Sequence, residues 1–306
     1  MTASEPVIHW LLDSDPSIRW QVMRDLLDAA EPEWSTERGK VEREGWGARL
    51  LSLEDEDGQW AGGAFLPRGF DFREWQEIGQ PWTATLFSLS QLREFGLDPT
   101  SDRIQRAVGL IGANSRWDHA GEPYWEGEVE ECINGRTVAD GAYFGVDVSP
   151  IVGRLIGERL DDGGWNCERI NGSVRSSFAT TINVLEGLLE YQRATGGTPE
   201  SREARRSGEE FLLKRKLFRR LSTGEPADEQ FLQFVHPSRW HYDVLRALDY
   251  FRSAAALTRA APDPRLDEAV GHIRSRRLEN GTWPLDWSPP GRVWFEMDDG
   301  PGEPSR

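Results

Sequence analysis

The sequence predicts an all-α protein built from repeated helix pairs, and three observations predict this class. Apolar residues recur at helical spacing along most of the 306 residues, strand-like alternation is scarce, and amphipathic segments that end in a glycine turn return at near-regular intervals. These segments start at residues 45, 102, 149, 206 and 265, so successive starts lie 57, 47, 57 and 59 residues apart. A near-constant period of this kind is typical of repeat architectures.

Each amphipathic segment has a partner with its own apolar helix face. In the clearest partner, Phe178, Ile182, Leu185 and Leu189 recur at one face of a helix. Four further partners are predicted from residues 18, 81, 133 and 239. A short helix is expected around residues 7–12, inside an N-terminal helical segment 1–30. Because no Pro/Ser-rich linker divides the chain, 1–306 is predicted to be a single domain.

Three of the turns carry a Gly-x-Trp ending, at Trp60, Trp165 and Trp283. Glycine adopts the left-handed conformation that ends a helix. A tryptophan two residues later can fold back as a large apolar plug between helices. We therefore expect these tryptophans to serve packing.

Composition excludes several functional classes. The net charge of −16 disfavours nucleic acid and anionic membrane surfaces as partners. The sequence contains no run of eighteen apolar residues, so no membrane span is predicted. The acidic N-terminal sequence does not resemble a signal peptide. We therefore predict a cytoplasmic protein, in which two cysteines do not form a disulfide framework.

Repeats of the form LL…DGxW followed by a second helix resemble the terpene cyclase/protein prenyltransferase superfamily with its squalene-cyclase-type repeats. The resemblance extends from about Gly45 to Trp283. WNCERINGSVRSSF and RWHYDVLRALDYF are similar to a bacterial subgroup without an assigned reaction, in which a histidine is expected at the position of Ala179. The resemblance implies a terpenoid cyclase-like α/α toroid, in which five to six helical hairpins form a barrel of inner and outer helices around a central cavity.

The resemblance also implies an enzyme that acts on a small hydrophobic, isoprenoid-like molecule, although the Asp-x-Asp-Asp acid motif of the cyclases is absent. Asp243 is then the candidate proton donor, with His241 beside it. Aromatic ring faces in such a cavity can stabilise cationic intermediates. The candidate substrate-binding aromatics are Trp82, Tyr143, Phe144, Phe178, Trp240 and Tyr242.

A second hypothesis is a zinc-dependent transferase or cyclase that activates a thiol or water. Cys132, Cys167 and His241 fall at equivalent positions of consecutive repeats, and His236 or Asp243 are further candidate ligands. Three protein ligands with an open fourth position are typical of catalytic zinc. Protein prenyltransferases, whose superfamily this chain resembles, and lanthionine cyclases both hold zinc in an α/α toroid. The structural interpretation of the same residues is two cysteines packed as small hydrophobes and two hydrogen-bonded histidines.

A third hypothesis is a carbohydrate-active (α/α) barrel hydrolase or a sugar-binding module. Two carboxylates of the acidic run Glu126, Glu128, Glu130 and Glu131 could act as acid and base. The competing interpretation of this run is a solvated helix start. The basic cluster Lys214, Arg215, Lys216, Arg219 and Arg220 is predicted to be a solvated helix face with surface ion pairs.

Overall fold

The computed structural model describes residues 5–305, and the regular secondary structure in this range is helical. It contains thirteen α-helices and four short 3-10 helices, and its described residues form isolated β-bridges but no strand. The all-α prediction is therefore confirmed. None of the described helices combines the length and the apolar character needed to cross a bilayer.

The chain divides into two compact units. The first comprises the chain up to Asp118, the segment Arg277–Pro284 and the chain from Pro290 onward. Its helices are α1 Glu5–Leu12, α2 Pro16–Asp25, α3 Glu31–Arg38, α4 Gly45–Leu51, α5 Phe72–Ile78, α6 Thr85–Glu94 and α7 Asp102–Asn114. Helix α1 contains the short helix expected at residues 7–12.

The second unit comprises His119–Arg276 and Leu285–Pro289. Its α-helices are α8 Glu131–Tyr143, α9 Ser149–Gly157, α10 Phe178–Thr195, α11 Pro199–Lys214, α12 Val244–Thr258 and α13 Asp267–Ser275. Its 3-10 helices are η1 Tyr124–Glu126, η2 Cys167–Asn171, η3 Glu229–Leu232 and η4 Pro264–Leu266. The single-domain prediction for 1–306 stays a prediction.

The predicted segments and their partners correspond to alternating helices. The amphipathic segments overlap α4, α7, α9, α11 and α13, and their partners overlap α2, α6, α8, α10 and α12. Helix α11 starts at Pro199, ahead of the predicted start at residue 206. The partner helices α6, α8 and α10 are buried along most of their length, whereas α7 and α9 bury one face. This alternation agrees with inner and outer helices. Closure of the pairs into a toroid stays a prediction.

Two of the Gly-x-Trp turns have the same structure although they lie in different units. The indole N–H of Trp60 donates to the Leu50 carbonyl at 2.9 Å, and that of Trp165 donates to the Leu155 carbonyl at 2.7 Å. Each tryptophan is fully buried. Each backbone N–H also donates at 3.1 Å to a threonine hydroxyl in the first turn of a buried partner helix, Thr85 of α6 or Thr181 of α10. The tryptophan therefore joins the end of an amphipathic helix to the start of the next partner helix, as the packing interpretation predicts.

The third turn differs in the surroundings of its tryptophan. Gly281 adopts a left-handed φ of 89° and its N–H donates to the Leu278 carbonyl at 2.9 Å, as in the other turns. Trp283, however, is only half-buried, and the Arg277 guanidinium lies 5.4 Å from the centre of its ring. This copy packs against a charged side chain and is not the buried plug that the sequence predicts.

Helices α8 and α10 run side by side at the centre of the second unit and touch backbone to backbone. A Cβ atom on Gly135 would lie 2.5 Å from the Asn183 carbonyl oxygen, and one on Gly187 would overlap the Gly135 carbonyl oxygen. Cys132 in the first turn of α8 and Thr180 in the first turn of α10 both lie near the Cys167 sulfur, and about one turn further along Gly135 meets Asn183. The two helices are therefore parallel, and their N-terminal ends lie at the same end of the unit.

Candidate metal centre

Glu130, Cys132 and Cys167, here called the thiol cluster, come together where α8 begins. Their ligand atoms, one carboxylate oxygen and two sulfurs, all lie within 4.8 Å of one another. Within residues 5–305, this is the only group of three or more histidine, cysteine or acidic side chains found to be this close. Both cysteines are free thiols.

Local hydrogen bonds fix the start of α8. Glu130 is the N-cap residue and Cys132 lies in the first turn. The Asn134 side chain accepts a hydrogen bond from the Glu128 N–H at 2.7 Å and donates one to the Glu128 carbonyl at 2.6 Å. The Glu128 carboxylate in turn accepts from the Glu130 N–H at 2.7 Å. These bonds tie residues 128–130 to the first turns of α8. The side chains of Glu130 and Cys132 therefore keep fixed positions relative to each other.

Cys167 comes from the 3-10 helix η2 and meets the start of α10. Its backbone N–H donates to the Thr180 hydroxyl oxygen at 3.3 Å, and that hydroxyl lies 3.5 Å from the Cys167 sulfur as a donor. Ser177 caps α10 and so fixes the turn that carries Thr180. The parallel packing of α8 and α10 then brings Cys167 to Cys132.

The two thiols have opposite pKa shifts. A hydrogen bond with Cys132, supported by the Thr180 hydroxyl against the effect of burial, lowers the pKa of Cys167 to about 7. The same hydrogen bond and burial raise the pKa of Cys132 well above its usual value. The Cys132 sulfur also lies 3.5 Å from a Glu130 carboxylate oxygen, and burial raises the pKa of that carboxyl group. Of the two thiols, Cys167 is therefore the one that ionises more readily.

A charged network surrounds the thiol cluster. The Arg169 guanidinium lies 2.5 Å from a Glu131 carboxylate oxygen and 2.8 Å from one of Glu158, while Arg154 pairs with Glu158 at 2.9 Å. Glu131 is almost completely buried, and one of its oxygens has no hydrogen-bond partner. Arg169 thus ties η2, which carries Cys167, to α8, which carries Cys132.

The acidic run Glu126, Glu128, Glu130 and Glu131 is therefore only partly the solvated helix start of the competing interpretation. Glu128 and Glu131 are buried, at 7% and 1% exposure, because the first accepts a backbone hydrogen bond and the second pairs with Arg169. Glu126 lies in η1, before the run turns into α8.

His241 and Asp243 lie in the loop that leads into α12. The His241 ring stacks on Trp240 at 3.9 Å, and its Nδ1 is 3.3 Å from the Ser238 carbonyl oxygen. Burial lowers the pKa of His241 to about 4. His241 does not belong to the group of described residues that brings the cysteines together. His236 lies in the same loop, where its N–H donates to the Trp287 carbonyl at 3.4 Å.

Asp243 is the N-cap residue of α12. Its two carboxylate oxygens accept hydrogen bonds from the N–H groups of Arg246 at 2.8 Å and Val235 at 3.3 Å. Burial raises the pKa of this carboxyl group to about 6, against those hydrogen bonds. The geometry gives Asp243 a capping role, and its predicted role as proton donor stays a prediction.

The predicted aromatic residues separate into different surroundings. Phe178 and Tyr242 pack edge to face at 5.2 Å and share contacts with Phe231, which the sequence analysis missed. These rings belong to the hydrophobic core of the second unit. The remaining predicted aromatics are adjacent Tyr143 and Phe144 on α8, Trp240 at 37% exposure, and Trp82, which is buried in the first unit.

The basic cluster forms the predicted ion pairs, but it is not a helix face, because α11 ends at Lys214 and the other four residues follow it. Lys214 lies 3.9 Å from Glu210, Arg215 lies 3.8 Å from Asp162, and Lys216 lies 3.1 Å from Glu268. Arg219 pairs with the same Glu268. Glu209 of α11, by contrast, points into the interior, where it pairs with buried Arg205 and accepts a hydrogen bond from Tyr250.

Two residues of the centre were missed as participants by sequence reasoning. Glu130 was considered only as part of the acidic run, although its position two residues before Cys132 at a helix start is a signal for a shared ligand set. Arg169, two residues after Cys167, carried no signal because its partners lie far away in the sequence.

Comparison with known proteins adds no relative: no protein-family model matches the sequence, and no curated protein matches it significantly. The functional argument therefore depends on the residues and their geometry.

Proposed function

We propose that the protein is a zinc-dependent enzyme, with the metal held by Glu130, Cys132 and Cys167. One observation carries the proposal: two sulfurs and one carboxylate oxygen, from residues up to 37 positions apart, converge within 4.8 Å of one another. Three protein ligands that leave a fourth position for water or substrate are typical of catalytic zinc.

The chemical type and the spacing of the three ligand atoms both suit zinc. Thiolate sulfur favours zinc over the hard cations magnesium and calcium, and carboxylate oxygen is also a zinc ligand. In a tetrahedral zinc site two thiolate sulfurs lie roughly 3.8 Å apart. Ligand atoms that are within 4.8 Å of one another therefore need to move by about 1 Å at most.

The chain's own residues supply the positioning. When bound, zinc would lower the pKa of a water or substrate thiol and so provide a nucleophile near neutral pH. Asn134 and Glu128 hold the start of α8, and Thr180 holds Cys167. Arg169 links the two segments through Glu131. This hydrogen-bonded surround is what orients metal ligands in proteins.

The substrate class follows from the resemblance and not from the centre. A hydrophobic, isoprenoid-like substrate agrees with the squalene-cyclase-type repeats. The alternative of a terpene cyclase-like enzyme without metal depends on Asp243 as the acid. We rank it second because both Asp243 oxygens accept backbone hydrogen bonds that cap α12. Cytoplasmic localisation and the absence of a nucleic-acid partner stay predictions.

Metal analysis of the purified protein tests the proposal. We expect one equivalent of zinc in the wild-type chain, loss of zinc in Cys167→Ser, and weaker zinc binding in Glu130→Ala against a competing chelator. Cobalt substitution should give a thiolate-to-cobalt charge-transfer band that disappears in Cys132→Ala.

The matched control is His241→Ala. Because His241 is not among the three converging residues, this variant should keep its zinc. Loss of zinc in His241→Ala would assign the metal to the Cys132, Cys167 and His241 set instead. A wild-type protein that binds no zinc after reduction and incubation with the metal would overturn the proposal.

A further inference from the structure

The two sulfur atoms of the thiol cluster are also placed to react with each other. Cys132 and Cys167 are free thiols, and their sulfur atoms lie within 4.8 Å of each other. They lie 35 positions apart in the sequence, and so tertiary packing alone creates this contact. Two thiols held together in this way have a high effective concentration for disulfide formation.

The surroundings decide which sulfur moves. Cys132 lies in α8 between buried neighbours, Glu131 and Ile133. The 3-10 helix η2 that begins at Cys167 contains no buried residue, and it ends at Gly172 in a left-handed conformation. Cys167 is held at Thr180 by two weak hydrogen bonds of 3.3 and 3.5 Å. The approach to bonding distance therefore requires a shift of η2 and leaves α8 in place.

We propose that Cys132 and Cys167 form a reversible intramolecular disulfide in the metal-free protein, and that this disulfide and zinc exclude each other. The disulfide depends only on the geometry of the two sulfurs, whereas the exclusion rests on the proposed function. Oxidation removes two of the three zinc ligands at once. Zinc in turn occupies both sulfurs and prevents their reaction. The thiol cluster is thereby a site at which a disulfide oxidant controls the metal centre.

The oxidant has the chemistry of a small disulfide such as oxidised glutathione. Cys167, which lies in the 3-10 helix η2 without buried residues, attacks one sulfur of the oxidant, and the oxidant's other half leaves as a thiolate. The Cys132 sulfur then attacks the Cys167 sulfur and releases the second half. Two electrons pass from the cysteine pair to the oxidant, the two thiol protons go to solvent or to the released thiolates, and one disulfide replaces another.

Glutathione redox buffers test the first half of the proposal on the full-length chain. The chelator-treated protein is equilibrated with oxidised and reduced glutathione, trapped by alkylation, and measured by intact and peptide mass spectrometry. We expect a monomer lighter by two hydrogens, with a peptide pair joined through Cys132 and Cys167. Cys132→Ser is the matched control, since it should stop at a stable glutathione adduct on Cys167. A wild-type protein that stops at the same adduct, or that links two chains, overturns the disulfide.

Zinc supplies the second arm of the test. Zinc-loaded protein should oxidise roughly tenfold more slowly than chelated protein, and the oxidised monomer should bind no zinc until it is reduced. Equal oxidation rates in a protein that does bind zinc overturn the exclusion and leave the disulfide standing. A protein that binds no zinc, yet forms the disulfide, overturns the proposed function and with it the exclusion, and leaves the disulfide standing.

Discussion

Gly135 and Gly187 face each other where α8 and α10 pack, and neither leaves space for a side chain. This contact lets two parallel helices approach backbone to backbone. It also fixes how the N-terminal ends of the two helices are placed relative to each other, and at these ends Cys132 and Thr180 meet Cys167. The geometry of the thiol cluster therefore depends on glycines that take no part in its chemistry.

Gly187→Ala should destabilise the protein. Its new methyl group would overlap the Gly135 carbonyl oxygen, and overpacking of this kind costs about 1–3 kcal/mol of unfolding free energy. Gly153→Ala in α9 is the matched control because its Cβ meets nothing within 4 Å. That control should be neutral or more stable by up to about 1 kcal/mol, since alanine favours helix. Urea denaturation of both variants measures the difference, and equal stabilities would contradict the close approach.

Trp165→Phe should lower the unfolding free energy by about 3 kcal/mol. The change leaves the buried Leu155 carbonyl without its indole donor and creates a small cavity. Trp75→Phe provides the comparison, because Trp75 is only half-buried and makes ring contacts in α5. That variant should change stability by less than about 1 kcal/mol. Similar losses in the two variants would show that Trp165 is not a structural plug.

Asp243→Asn should alter how stability depends on pH. Burial raises the folded-state pKa of Asp243 to about 6, above the ordinary value of 3.8. Between those values the folded chain binds the proton more tightly than the unfolded chain, so the wild type loses stability as pH rises. The loss is on the order of 3 kcal/mol for a shift of this size. The variant should lack this loss, and the stability difference between the two proteins should be larger at pH 4 than at pH 7.

Asp98→Asn serves as the control of opposite sign. The Thr100 N–H lowers the pKa of Asp98, so its contribution to stability grows as pH rises. The effect of this substitution should therefore be larger at pH 7 than at pH 4. Parallel pH curves for the two variants would contradict the assignment of Asp243 as a buried acid of raised pKa.

Arg169→Met should weaken zinc binding about tenfold, because outer residues that orient a ligand typically contribute that much. The variant removes the link between η2 and α8 and leaves the Glu131 carboxylate buried without its partner. Adding Glu131→Gln removes that buried charge, so the double variant should regain stability but not zinc affinity. Arg193→Met, which breaks an ion pair with buried Glu190 near the C-terminal end of α10, should leave zinc affinity unchanged. Chelator competition measures the affinities, and full affinity in Arg169→Met would contradict the positioning role.

The sequence by itself determined the helical class, the alternation of amphipathic and buried helices, and the packing role of Trp60 and Trp165. These features depend on periodicity and on glycine turns, which are local properties of the chain. The convergence of Cys132 with Cys167 was also foreseen, because the two cysteines occupy equivalent places in successive repeats.

Only the tertiary structure decided which residues join Cys132 and Cys167 in the candidate metal centre. Glu130 joins it because the α8 cap turns its carboxylate toward Cys132, whereas His241 is held by stacking on Trp240. Arg169 enters through partners 38 and 11 positions away in the sequence, and Glu131 is buried by that same contact. These contacts depend on the exact distance between helices and on ion pairs between residues far apart in the sequence. Neither produces a periodic pattern that can be recognised in the sequence.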